Sequence, residues 1–228
     1  MPSSQPLTLK DRVISIQGAL PPSVRLIAVS KYMPAALIRE AYDAGLRDFG
    51  ESRVQEAIQK QAELQDLSGL TWHLIGHLQS NKAKLAVRHF DWIHSVDSLA
   101  LAQRLNRIVE SVEHSPQLCL QVKPLSDPDK FGWMFADLKT DLPALQACSH
   151  LRWRGLMTIL PMGLTSQETL NAFHEIQKLA QDISQPSQEN FTLSELSMGM
   201  SKDYQLAVQA GATMVRVGRS LFGDRPLP

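Results

Sequence analysis

Lys31 follows the apolar run Leu26-Ile27-Ala28-Val29 and shortly precedes Pro34. A primary amine therefore stands where a buried strand stops and a helix is about to begin. In parallel α/β folds that edge is where ligands bind. By itself such a lysine is either an ordinary surface charge or an amine held over a pocket. Two further stretches bear on the choice, Ser197-Met198-Gly199-Met200-Ser201 and Arg216-Val217-Gly218-Arg219-Ser220. Each places glycine and serine between a strand and a helix, where exposed N–H groups, a hydroxyl and a helix dipole suit a phosphate. Singly, each also reads as a plain helix cap. Arg219 either adds charge there or is solvated. Arg216 lies inside the strand pattern Met214, Val215, Val217, so it must be paired or face a polar interior. Its partner is then a polar atom of a ligand, or a carboxylate such as Glu51. Met157-Thr158 closes another strand at the same edge. Lysine forms an imine with an aldehyde, so an amine, a phosphate cradle and a buried cation together suit a phosphorylated aldehyde.

Those residues converge only if the chain alternates strand and helix, and it does. The pattern predicts strands over Val24–Ser30, Arg47–Gly50, Thr71–Gly76, Trp92–Val96, Leu118–Val122, Trp153–Ile159, Glu195–Met198 and Thr213–Val217. Helices are predicted over Pro34–Ala44, Arg53–Leu64, Asn81–Val87, Ser98–Ser111, Phe135–Cys148, Thr165–Ile183 and Asp203–Ala210. Asp97 is the expected cap of the fourth helix, and Pro143 is expected to disturb the fifth. An amphipathic segment over residues 7–19 precedes them all. Eight strand–helix units in 228 residues come close to the ~250 of a (β/α)8 TIM barrel. An open doubly wound sheet competes, but no G-x-G-x-x-G turn follows the first strand. With no sequence repeat and no dividing linker, one α/β barrel domain over residues 1–228 is expected.

Composition removes other classes. Lys+Arg and Asp+Glu both number 23, so a generic nucleic-acid or anionic-membrane binder is not expected. No apolar run approaches the ~20 residues of a membrane span, and Met1 to Lys10 has no signal-peptide core. Cys119 and Cys148 lack metal-type spacing, no metal is expected, and Cys119 reads as a small core residue. A reducing cytoplasm is the simplest location.

Pyridoxal 5′-phosphate (PLP) offers an imine carbon, a phosphate and a ring nitrogen, one for each feature at the strand ends. The chain also resembles the YggS/PROSC family, the pyridoxal phosphate homeostasis proteins, over nearly its whole length. The resemblance is carried by Ala28-Val29-Ser30-Lys31, Asp48-Phe49-Gly50-Glu51, Trp72 through Lys82 (Trp-His-Leu-Ile-Gly-His-Leu-Gln-Ser-Asn-Lys), Gly155-Leu156-Met157, Ser197 through Asp203, and Val215-Arg216-Val217-Gly218. It implies a barrel similar to the N-terminal domain of alanine racemase, of the fold type III PLP proteins, with an extra N-terminal helix. It implies that Lys31 holds PLP as a covalent aldimine. Ser201, Gly218 and Arg219 match the phosphate side, and Arg216 the ring-nitrogen side. Met157, Thr158, Ser197, Met198, Gly199 and Met200 complete the expected cofactor-binding set. One departure is Ser52-Arg53, where the family usually carries Asn-Tyr after the Gly-Glu of the second strand.

Two functions compete. One is a PLP-binding protein of vitamin B6 homeostasis without turnover of its own. The other is a PLP-dependent amino acid racemase. Racemisation needs an acid–base group on each face of the substrate carbon. Racemases of this barrel type take a tyrosine for the second face from a further β-rich domain, and the chain ends about ten residues after its eighth strand. Of Tyr32, Tyr42 and Tyr204, only Tyr32 is placed to substitute. His77 is a base or a hydrogen-bonded residue ordering its turn. The carrier reading is therefore expected, with no catalytic residue and as a monomer. Partners would be PLP itself and PLP-dependent enzymes or a regulatory protein, with Lys82 and Lys130 as open candidates for cofactor in transit.

Overall fold

The computed structural model describes residues 7–185 and 188–223. Among the described residues nine strands run as β1 (Arg25–Val29), β2 (Asp48–Glu51), β3 (Thr71–Leu74), β4 (Trp92–Val96), β5 (Gln117–Lys123), β6 (Trp133–Met134), β7 (Arg152–Met157), β8 (Phe191–Met200) and β9 (Met214–Val217). All pair in parallel, in the order β4-β3-β2-β1-β9-β8-β7-β5, and β4 pairs with β5 to close the ring. The eight-stranded barrel expected from alternation is what forms. The two-residue β6 is an addition, paired with β5.

Helices cover the outside: α1 (Leu9–Gly18), α2 (Ala35–Asp43), α3 (Val54–Glu63), α4 (Ala83–His89), α5 (Leu99–Val109), α6 (Phe135–Gln146), α7 (Ser166–Ile183), α8 (Tyr204–Gln209) and α9 (Arg219–Phe222). The extra N-terminal helix is α1, opened by a Thr8–Asp11 capping box and tied to α9 through Arg12 Nε, which donates to the Leu221 carbonyl. Three local expectations are corrected. Ser98, not Asp97, caps α5, because Asp97 takes His77 Nδ1 at 2.7 Å instead. Helix α6 runs through Pro143, which sits in its last turn, to Gln146. Strand β8 starts at Phe191, four residues before the predicted Glu195, because Phe191 pairs with Trp153 of β7. Much of the expected tail after Leu221 lies outside the described residues.

Strand periodicity sorts every side chain to one of two cores. Val215 and Val217 of β9 join the large core between barrel and helices. Met214 points inward and packs with Ile27, Trp92, Cys119 and Met157 in a small apolar plug inside the barrel. Arg216 follows at the same parity, above that plug. The plug fills the barrel's interior, and in barrels of this kind the loops at the strands' C-terminal ends form the ligand-binding face. Among the described residues no helix is long and apolar enough to cross a membrane.

Both cysteines are buried and unbridged, and burial pushes both thiols up from their ordinary value. Neither should react with a thiol reagent such as DTNB at pH 8 while the protein is folded, and both should react once it is unfolded in guanidinium. Fast labelling of Cys119 in the native state would mean that the barrel's plug is not closed.

Candidate functional site

The turn carrying Lys31 is fastened from outside the barrel. Lys60, on α3, donates from Nζ to the Ser30 carbonyl at 2.8 Å, to Glu51 Oε1 at 2.8 Å and to Glu56 Oε1 at 2.7 Å. Ser30 Oγ donates to Glu51 Oε1 at 2.7 Å, and the Tyr32 N–H donates to Glu56 Oε1 at 2.6 Å. Lys31 is thus bracketed by two residues whose backbone groups are held. Tyr32 sits at φ 65°, a left-handed conformation that a non-glycine residue keeps only when its neighbours over-determine it. Ser30 and Glu51 are wholly buried and Lys60 nearly so. Burial raises the Glu51 carboxyl above its ordinary value, against the opposing pull of Lys60 and Ser30.

Two seams away, the ends of β8 and β9 meet the end of β1. Gly218 lies so close to Val29 that a Cβ there would approach the Val29 Cβ to 3.2 Å. Its N–H donates to Ser201 Oγ at 3.3 Å, and the Ser220 N–H reaches the same oxygen at 3.5 Å. Two backbone donors and a hydroxyl therefore gather two residues of strand away from Lys31. Gly199, at φ 89°, turns β8 toward α8 where a Cβ would strike Ala207 at 2.5 Å, so no other residue fits. Met200 then gives its N–H to Asp203 Oδ1 at 2.6 Å. Arg219 opens α9.

The floor is polar. Arg216 is 3% exposed, and its Nη1 donates to the Ser197 carbonyl and Oγ, both at 2.6 Å. Its Nη2 donates to the Thr158 carbonyl at 2.7 Å, while Thr158 Oγ1 donates to the Val122 carbonyl at 2.9 Å. The alternative pairing with Glu51 does not occur, because Glu51 points outward from β2 while Arg216 points inward from β9. Burial lowers the guanidinium to about 10, which leaves it protonated at neutral pH. Among the described residues, its Nε has no hydrogen-bond acceptor.

Across the mouth, a cavity of about 680 Å³ is lined by Ser52, Arg53, Gln59, His77, Gln79 and Lys82, among others. The departure Ser52-Arg53 therefore lies at the mouth, beside Lys82. His77 is held by Asp97 and stacks on Phe131 with ring centroids 3.7 Å apart. Gln121 Nε2 holds the Phe131 carbonyl at 2.9 Å, so the loop carrying Lys130 is drawn down over the β3 end. This geometry gives His77 an ordering role in its turn.

Of the residues singled out from sequence, Thr158, Ser197 and Arg216 form one hydrogen-bonded group, and Ser201 and Gly218 another. Met157 lies below them in the plug, and Met198 turns its side chain into the outer core, away from the mouth. Sequence reading missed Lys60, which shares its helix face with Glu56 at i,i+4 and so resembled an ordinary solvated pair. It also missed His73 and His94, two mid-strand polar residues to which the reasoning applied to Arg216 extends equally. Among the described residues no group of three or more side chains is arranged to hold a metal ion. The strand ends bring together the turn that carries Lys31, the Ser201–Gly218 junction and buried Arg216.

Residues 7–226 match the family described as alanine racemase, N-terminal domain. Over 210 residues the chain is 51% identical to the pyridoxal phosphate homeostasis protein of Synechocystis sp., covering 92% of this chain and 95% of that protein. The structure of PipY from Synechococcus elongatus with PLP bound aligns with a TM-score of 0.89 at 57% identity, over 95% of this chain and 100% of that one. Alanine racemase of Clostridium difficile aligns with a TM-score of 0.78 at 15% identity, over 96% of this chain and 57% of that one, a likeness of fold alone.

Replacing Lys60 by Met should cost about 3–5 kcal/mol at pH 8, because Glu51 is left buried without its cation. A buried carboxyl with a raised folded-state value binds its proton more readily folded than unfolded, so the penalty exists only where Glu51 is ionised. Urea denaturation should therefore show the gap between Lys60→Met and wild type shrinking as pH falls through the carboxylate range. A gap that widens on acidification would contradict this account of the clamp.

Proposed function

The chain belongs to the pyridoxal phosphate homeostasis protein family, and from that membership we propose that it binds PLP at the barrel mouth as a Schiff base with Lys31. The observation that carries the reading is the junction of β1, β8 and β9. There Gly218 packs on Val29, two residues before Lys31, and two N–H groups converge on the Ser201 hydroxyl. The donor set fits the group. When bound, PLP supplies an aldehyde that condenses with a primary amine, losing one water, and a pyridine ring that can withdraw electrons.

The chain's own residues do the rest. The Lys60–Glu51–Glu56 clamp holds the backbone on both sides of Lys31, whose amine would reach the cofactor at the mouth. The N–H groups of Gly218 and Ser220, which rest 3.3 and 3.5 Å from Ser201 Oγ, would turn with that hydroxyl to donate to phosphate oxygens, with Arg219 adjoining. Thr158 and Ser197 set the Arg216 guanidinium beneath them, where it would face the ring nitrogen of bound PLP. A guanidinium only donates, so it keeps that nitrogen unprotonated and the ring a weak electron sink.

The reading is of a carrier of PLP rather than an enzyme that turns amino acids over. Racemisation would also need an acid–base group on the face opposite Lys31. The Tyr42 hydroxyl is engaged with the Ser68 carbonyl at 3.1 Å, Tyr204 packs at the start of α8, and Tyr32 is exposed beside Arg53. None supplies an obvious second base.

Visible spectroscopy tests the reading. Wild type titrated with PLP should gain the absorption band of lysine-bound cofactor, and Lys31→Ala should lack it. Ser201→Ala should keep the band but bind about tenfold more weakly, the equivalent of one charge-assisted hydrogen bond. The loaded protein should not interconvert alanine enantiomers. Absence of the band from wild type at saturating PLP would refute the proposal, and racemisation would favour the enzyme instead.

A further inference from the structure

A line of hydrogen bonds crosses the barrel interior beneath the mouth. His73 Nε2 lies 2.9 Å from Asp48 Oδ1, and His73 Nδ1 lies 2.9 Å from His94 Nε2. His94 Nδ1 lies 2.8 Å from Ser197 Oγ, which also accepts from Arg216 Nη1 at 2.6 Å. The four residues from His73 to Arg216 are buried, three of them completely. Asp48, at the start of β2, is partly exposed and faces the Arg25 guanidinium at 3.7 Å. The line thus joins the barrel's N-terminal rim to the guanidinium under the mouth.

Valence gives the line a direction. Burial holds both imidazoles below the ordinary histidine value, so each ring is neutral and has one donor and one acceptor nitrogen. The Asp48 carboxylate only accepts, so His73 must carry its proton on Nε2. His73 Nδ1 then accepts from His94 Nε2–H, and His94 Nδ1 accepts from the Ser197 hydroxyl. The Ser197 oxygen is left with lone pairs toward Arg216. In the reverse direction a bare His73 nitrogen would oppose a carboxylate oxygen at 2.9 Å, a buried repulsion. The Ser197 hydroxyl would also receive two donors and have to find another acceptor for its own proton.

We propose that Asp48, His73 and His94 are positioning residues for Arg216, orienting the Ser197 hydroxyl so that its lone pair faces the guanidinium. Their effect on the cofactor rests on the reading of Arg216 as the partner of the PLP ring nitrogen. They touch neither PLP nor its lysine. Their contribution is to let Arg216 occupy one orientation in a site without a carboxylate hydrogen-bonded to it.

Histidine tautomers are read directly by ring-nitrogen NMR of labelled, cofactor-free protein. Both His73 and His94 should be the Nε2–H form in wild type. Asp48→Asn presents an amide that can donate as well as accept, and it should introduce the Nδ1–H form at both rings. Loaded with PLP, the same variant should bind about tenfold more weakly and show a displaced visible band, as expected when a guanidinium hydrogen bond is disordered. His73→Phe, which keeps ring volume but cuts the line, should displace the band in the same way. An Nδ1–H tautomer at either ring in wild type would overturn the inference. So would variants that lower Tm yet keep the wild-type band and affinity. If wild type itself forms no band, the functional reading has failed, and the tautomers of the cofactor-free protein still decide the hydrogen-bonded line.

Discussion

A guanidinium inside a closed barrel must be given acceptors, and much of the interior follows from that requirement. Arg216 is almost wholly buried, and stripping water from a cation without compensation costs several kcal/mol. The compensation comes from oxygens and not from a carboxylate. The Thr158 and Ser197 carbonyls and the Ser197 hydroxyl take three of its hydrogens. An ion pair would have quenched the cation. Neutral acceptors hold it in place and leave its charge to act on whatever lies above. Serving as an acceptor then constrains Ser197, whose own proton must go elsewhere, and His94 takes it.

The outer surface of the same strands meets a different requirement. The turn that carries Lys31 includes a non-glycine residue at positive φ, which has to be held in place. Residues of opposite parity provide the restraint. Glu51 and Ser30 face α3, where Lys60 binds both of them and Glu56 secures Tyr32. Among the described residues one Glu51 oxygen has no hydrogen-bond partner, so this clamp sits close to the limit of what burial allows. Inward residues thus build the floor and outward residues hold the amine, a division of labour set by the two-residue period of a strand.

Much of this was legible in the sequence. Eight apolar runs separated by helical patterns identify the barrel, and Lys31, Ser201 and Gly218 stand out because they sit where such runs end. Parity was the information left unused. It places Glu51 and Arg216 on opposite faces, which excludes their pairing, and it sends Met198 into the outer core. It also puts Asp48, His73 and His94 inside, although their contacts span 21 and 25 residues of chain and have no local signature. Lys60 was hidden for another reason, since an i,i+4 Glu–Lys pair on a polar helix ordinarily faces water. Two-residue β6 and the early start of β8 depend on pairing partners, which no local pattern records.

The central claim is that one particular amine, among the lysines around the mouth, bonds to the cofactor. The most direct measurement is borohydride reduction of the PLP-loaded protein followed by peptide mass spectrometry. The account predicts a pyridoxyl group on the peptide containing Lys31, with Lys82, Lys123 and Lys130 unmodified at stoichiometric PLP. Principal labelling at any of those three, or none at all, would contradict it.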